Sequence, residues 1–372
     1  MTTSTIEDLE ALRASLRGFL AAQSPITEVR RLMATAEGYD EAVWEQMASQ
    51  LGLQGLAVAE EYGGAGFGFV ELLVVFEEFG RALYCGPYFS TVALAAGLLG
   101  LSSDTAAKER YLPKIASGQL IATVAFIEDD GTWDEPGTVT RATNNGNNEW
   151  TLRGVKSYVV DGGLAKLIIV PARSDEGVSL FVVDAPSPGL TSESLDTMDA
   201  TRKQSRLTFD ETPARLLDTL GQGWPVLVKA LSQATIALAG EQVGGSLKVL
   251  EIAVEYAKTR EQFGRAIGSF QAIKHKCANL YVESESAGVV ARYAAWTVDA
   301  KLAEVPMAAS VAKAYCSEAF VHAAAENIQI HGGVGFTWDN DAHLYLRRAK
   351  TSEMYLGDAM YHRELIAQDL QI

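Results

Sequence analysis

Tyr256–Gln271 reads YAKTREQFGRAIGSFQ, and further along Gln329–Phe336 reads QIHGGVGF. The stretch before the first, Val226 to Thr259, contains no proline and keeps an apolar stripe, which predicts one long helix. Arg260 then falls at that helix's C-terminus, where the helix dipole favours a cation. Phe263, Gly264, Ile267, Phe270 and Gln271 follow it. In the second stretch Gln329 precedes Gly332 and Gly333, which present no side chain and let backbone N–H groups come close to an anion. Each feature alone has an ordinary reading, a capping cation or a helix-ending glycine turn. Their order and spacing together carry more than either.

Outward from these stretches the chain falls into three regimes. Segments at about 267–302, 306–330 and 341–368 have helical apolar periodicity and complete a four-helix set with the long helix. From 121 to 218 the pattern changes to short runs rich in β-branched and aromatic residues, such as Ile121–Ile127, Leu167–Val170 and Leu180–Val183. Turn clusters separate them, for example Asn144-Asn145-Gly146-Asn147-Asn148. From 1 to 120 the reading is helical again, with Ile6, Leu9, Leu12, Leu16, Phe19 and Leu20 at helical spacing. A second apolar helix, Val70 to Leu83, follows Gly63-Gly64-Ala65-Gly66. No strand precedes those glycines, so they read as a helix entry and not a dinucleotide loop. The expected domains are therefore 1–120 all-α, 121–218 all-β, and 219–372 a helical bundle.

The chain has 372 residues, 48% hydrophobic and 21% charged, which suits packed globular domains. A net charge of −16 argues against nucleic acid or an anionic membrane as the main partner. No apolar run is long enough to span a bilayer, and the N-terminus, MTTSTIEDLEAL, lacks the basic and apolar regions of a secretion signal. Cys85, Cys277 and Cys316 are far apart and odd in number, as expected of reduced thiols in cytoplasm. His275, His322, His331, His343 and His362 show no metal-ligand spacing, so no metal is expected.

The two quoted stretches, with the α–β–α order around them, closely resemble the acyl-CoA dehydrogenase family, and the resemblance covers essentially the whole chain. It implies an α+β fold: an N-terminal helical domain, a central β-barrel or sandwich domain and a C-terminal four-helix bundle, assembled as a tetramer. It implies FAD held in an extended form at a subunit interface, with Arg260 near the pyrophosphate. Phe263, Gly264, Ile267, Phe270, Gln271, Gln329, Gly332 and Gly333 would surround the cofactor. An acyl-CoA substrate and an electron-transfer acceptor are implied with it.

The chain departs from the family at the chemistry. Dehydrogenation needs a carboxylate to take the α-proton and the flavin to take the β-hydride. The family's usual YEGT-like motif corresponds to Tyr355–Ala359, which reads YLGDA, so Leu356 stands at the glutamate's place. The second family position, on the long helix, is Ala234, followed by Thr235. Glu241 lies about 10 Å along the helix axis from Ala234, and Asp358 lies two residues past Leu356. Both are weak candidates for a base, and a solvated or ion-paired acid is the competing reading of each. The stretches expected to touch the flavin ring, Ala125–Gly137 and Lys156–Gly162, are also altered: Tyr158 replaces a tryptophan and Val160 a threonine. The expectation is a subunit that completes the phosphate half of a flavin site while a related chain holds the ring and the base. The alternatives are a homomeric enzyme using Glu241 or Asp358, a flavin-free scaffold subunit, and a flavoenzyme of the same fold acting on a non-CoA substrate.

Overall fold

The computed structural model describes residues 4–146 and 149–372. In chain order, the described helices begin with α1 (Ile6–Gln23), α2 (Ile26–Met33), α3 (Glu41–Ser49), α4 (Phe69–Ala82), α5 (Gly97–Leu101) and α6 (Thr105–Ala116). Strands follow: β1 (Ala122–Val124), β2 (Arg141–Gly146), β3 (Glu149–Val160), β4 (Leu167–Ser174), β5 (Gly177–Asp184), β6 (Leu190–Ser194) and β7 (Gln204–Leu217). Then come α7 (Gly223–Thr259), a small ribbon of β8 (Glu261–Gln262) and β9 (Arg265–Ala266), α8 (Gln271–Asp299), α9 (Val305–His331), α10 (Ala342–Met354) and α11 (Ala359–Asp369). The chain divides into two compact units. One holds residues 31–68 and 85–234, the other the residues up to 30, 69–84 and 235–372.

The first unit is built on a sheet that closes on itself. Strand order β4-β2-β3-β7-β5 returns to β4 through the β4–β5 pairing, with β1 on β4 and β6 on β7. Closure removes the unpaired edge that an open sheet would expose. Along β3, Trp150 and Leu152 point inward while Glu149 and Arg153 face out, the period-two pattern of a half-buried strand. They join Ile168, Val170, Phe181 and Phe209 in the barrel core. The apolar run Ile121–Ile127 yields only the three residues of β1. Beyond it, Ile127 and Glu128 are taken up by bridges to Ser157 and Lys156. Of the asparagine-rich turn, residues 144–146 end β2, and Asn147 and Asn148 lie outside the described residues.

The second unit is helical. Thr5 and Asp8 form a reciprocal capping box that starts α1. Within this unit α4 and α7 meet backbone to backbone: a Cβ added at Gly244 would lie 1.7 Å from the Glu77 carbonyl oxygen. The segment expected as one helix over 341–368 is two, α10 and α11. Leu356 (φ +61°) and Gly357 (φ +93°) are both left-handed, and two such residues in succession end a right-handed helix. Asp358 then restarts it, its carboxylate accepting the Tyr361 N–H at 2.8 Å as N-cap of α11. Among the described residues no helix is long and apolar enough to cross a membrane.

Candidate functional site

The two stretches that open the sequence reading lie side by side in the second unit. The Tyr256 ring stacks on His331, with centroids 4.0 Å apart. Ile330 packs with Ala253 and Ala257, and Ile267 packs against the same cluster. After α7 ends, Ile267 N–H donates to the Arg260 carbonyl at 2.8 Å, so the chain returns on itself through β8 and β9. The two residues between those strands, Phe263 (φ +54°) and Gly264 (φ +74°), both have left-handed backbone. That is the two-residue hairpin turn in which Asn-Gly is preferred. Phenylalanine at its first position is strained, and it is 92% exposed. Behind it, the Arg265 guanidinium sits 4.0 Å over the Phe270 ring, and Phe270 meets Phe263 edge-on at 6.1 Å.

Arg260 is exposed and has no ion-pair partner among the described residues. Gln271 opens α8 and Gln329 lies on the exposed side of α9's last turns. Gly332 (φ +64°) ends α9, and neither it nor Gly333 has any atom within 4 Å of where a side chain would begin. An unpaired guanidinium and an open glycine turn on adjoining stretches are groups that can hold an anion.

Neither family base position offers a proton acceptor: Ala234 and Leu356 are both buried. Glu241 is 4% exposed and lies 3.1 Å from the guanidinium of Arg348, itself 2% exposed. Arg348 also donates to the Tyr84 carbonyl at 3.4 Å. Asp358 caps α11 as described. The turn carrying Leu356 is fastened from two sides. Lys313 Nζ donates to the carbonyls of Glu353 (2.9 Å) and Gly357 (2.7 Å), and His362 Nε2 meets the Leu356 carbonyl at 2.8 Å. Burial pulls the Lys313 amine down to about 7 and His362 to about 4, so His362 is neutral and its Nε2 carries the donated proton at neutral pH. The sequence reading missed this clamp. Its signal was present: Lys313 sits on the apolar stripe of Ala309, Cys316 and Phe320 and so had to be buried.

In the first unit, the stretches Ala125–Gly137 and Lys156–Gly162 bind each other. Glu128, 2% exposed, accepts from Lys156 Nζ (2.6 Å), the N–H groups of Val139 (3.1 Å) and Thr140 (3.2 Å), and the Thr140 hydroxyl (2.9 Å). Burial lowers the Lys156 amine to about 8 even so. Asp129 is held at about 2 by hydrogen bonds from Arg206 and then Ser157. Val160 is buried, its carbonyl accepting from the Thr123 hydroxyl at 2.7 Å, and its side chain has no polar atom to offer a ligand. Tyr158 (φ +55°) is about half exposed.

Three family models match the chain: acyl-CoA dehydrogenase N-terminal domain over residues 6–119, middle domain over 123–212 and C-terminal domain over 221–371. The chain is 34% identical over 350 residues to the acyl-CoA dehydrogenase IpdE2 of Mycobacterium tuberculosis, covering 94% of this chain and 93% of that protein. A variant of the Tcur3481–Tcur3483 steroid ACAD is similar in structure, with TM-score 0.89, 31% identity and 98% of each chain covered. The ChsE4–ChsE5 complex from Mycobacterium tuberculosis gives TM-score 0.90 at 28% identity, covering 100% of this chain and 99% of that one.

Proposed function

The chain belongs to the acyl-CoA dehydrogenase family, and on that premise we propose that it serves FAD-dependent α,β-dehydrogenation of an acyl-CoA thioester as the subunit of a heteromer that supplies no base. The observation that carries this reading is the chemistry at the two base positions. Leu356 and Ala234 cannot take a proton, while Glu241 is engaged by Arg348 and Asp358 by the start of α11. Two of the similar structures are named for a pair of chains, ChsE4 with ChsE5 and Tcur3481 with Tcur3483, which supports a related chain as partner.

The division of labour follows from which residues fit the cofactor. Arg260 and the open turn at Gly332–Gly333 suit a diphosphate, with Phe263, Gly264, Ile267, Phe270, Gln271 and Gln329 around it. On the ring side Val160 offers no side-chain donor, and Glu128 and Lys156 satisfy one another. When bound, the flavin supplies hydride acceptance. This chain's residues bind and orient its phosphate end. The α-proton goes to a carboxylate of the related chain, and the electrons leave to an electron-transfer acceptor.

Expressed alone, the chain should retain FAD poorly. Co-expressed with a related chain carrying the missing glutamate, it should give a complex with about one FAD per two chains, as an exchange of half-sites requires. A stable homo-oligomer with full flavin occupancy contradicts the proposal. In the complex, Arg260→Ala should lower FAD retention without unfolding the chain, and the Tm of the isolated, flavin-free chain should not change, because the side chain anchors nothing within its own chain.

The hairpin tip makes a separable prediction. Phe263→Asn should stabilise the isolated chain by about 1 kcal/mol, since asparagine tolerates the left-handed turn and phenylalanine does not. The same change should weaken flavin retention in the complex. Denaturant unfolding and flavin release read the two effects; a loss of stability in the isolated chain contradicts the strained-anchor reading.

A further inference from the structure

Helix α8 carries its bulk on the outside. The face it turns to its own chain is small: Ser284, Ala287, Ala291 and Ala294 are buried. The large side chains are on the other face, where Tyr281, Val282, Val289, Tyr293 and Trp296 are 50–65% exposed. Along that face Ala278, Val282, Glu285, Val289, Arg292 and Trp296 follow one another at alternating spacings of four and three. That is the seam of a helix that packs lengthwise on another helix. It runs for about 27 Å at the usual rise per residue. Exposed apolar faces rich in tyrosine and tryptophan mark sites of protein association.

Two charges interrupt the seam, and they select what covers it. Glu285 is exposed and has no ion-pair partner among the described residues. Arg292 is about half exposed and meets Glu77 only at 3.8 Å, while Glu77 already takes Arg13 at 2.6 Å. We propose that α8 is an antiparallel interface between two copies of this chain, with the two-fold axis between Gly288 and Val289. That register sets Glu285 against the partner's Arg292 and Tyr281 against the partner's Trp296, each pair twice, as an isologous contact requires. A parallel pairing in register would instead set Glu285 on the partner's Glu285 and Arg292 on the partner's Arg292, which repel. The seam uses none of the residues assigned to the cofactor, so it stands or falls apart from the dehydrogenase reading.

The test is sedimentation equilibrium of the full chain purified alone, which should be dimeric at micromolar concentration. Glu285→Arg and Arg292→Glu should each weaken dimerisation by about tenfold or more, because each sets like charges together across the seam. The double variant should return to within about threefold of the parent, since the exchange keeps the pairing. An equimolar mixture of the two single variants should dimerise where neither does alone. Arg292→Glu also faces Glu77, so a second measurement leaves the charges untouched. On mild oxidation Val289→Cys should cross-link two copies, because it lies at the axis. Val282→Cys should not, because the antiparallel register parts its two copies by about 20 Å, beyond the reach of a disulfide. A monomeric parent overturns the proposal, as does a Glu285→Arg variant that dimerises like the parent. Cross-linking through Val282→Cys overturns the antiparallel register. Association that appears only when a related chain is added overturns the choice of partner.

Discussion

Arg348→Met is expected to cost the folded chain about 3–5 kcal/mol, the usual penalty for removing one partner of a buried ion pair. The guanidinium is 2% exposed and lies 3.1 Å from Glu241, itself 4% exposed. Methionine fills much of the volume but leaves the carboxylate without its counter-charge. Glu241→Leu in the same chain should recover most of the loss, because an apolar pair of similar size escapes both desolvation penalties. Urea unfolding of the single and double variants measures this, with the midpoint moving and the slope unchanged. A single variant as stable as the parent would mean that the pair with Arg348 does not fix Glu241, and would reopen it as a mobile acid. The homomeric reading needs just such mobility, since a base must come within about 3 Å of its proton.

The second large effect is expected from Gly244→Ala. The new methyl would lie 1.7 Å from the Glu77 carbonyl oxygen and 2.6 Å from its carbon, both backbone atoms that cannot rotate away. Helices α4 and α7 must separate, which disturbs Glu77 and its bond from Arg13 at 2.6 Å. Overpacking of this kind costs about 3 kcal/mol or more. Gly333→Ala is the control. Nothing lies within 4 Å of its added carbon, so stability should stay within about 0.5 kcal/mol. Equal losses in the two variants, read by thermal and urea unfolding, would contradict the close-contact account.

The broad architecture was legible because it rests on apolar periodicity, which local sequence carries. The change from helical spacing to short β-branched runs and back located α1, strands β1, β4 and β5, and the long helix α7 without any long-range information. The break between α10 and α11 was not read, although Gly357-Asp358 is a helix stop followed by an N-cap residue. The apolar periodicity running through Tyr355 and Leu356 masked it. The buried ion pair of Glu241 with Arg348 could not be read from spacing at all. Its partners come from α7 and α10, and only the packing of those helices brings them together. The same holds for Lys156 and Glu128, which tie together two stretches that the sequence marked as altered but not as joined. In Tyr256–Gln271 and Gln329–Phe336 the sequence singled out Arg260 and the glycine turn. It did not reveal that Phe263 sits at a hairpin tip in strained backbone, because that depends on two β residues on each side of a turn.

The central claim, that the proton-accepting carboxylate comes from another chain, is tested most directly by anaerobic single-turnover reduction of the flavin by substrate. The measurement compares the co-purified complex with its Glu241→Gln and Asp358→Asn variants, at matched flavin content and assembly. The account predicts reduction rates within a factor of about three of the parent for both, because neither acid takes the α-proton. A collapse by about 10²–10⁴ in either variant, the contribution of a positioned general base, would contradict it.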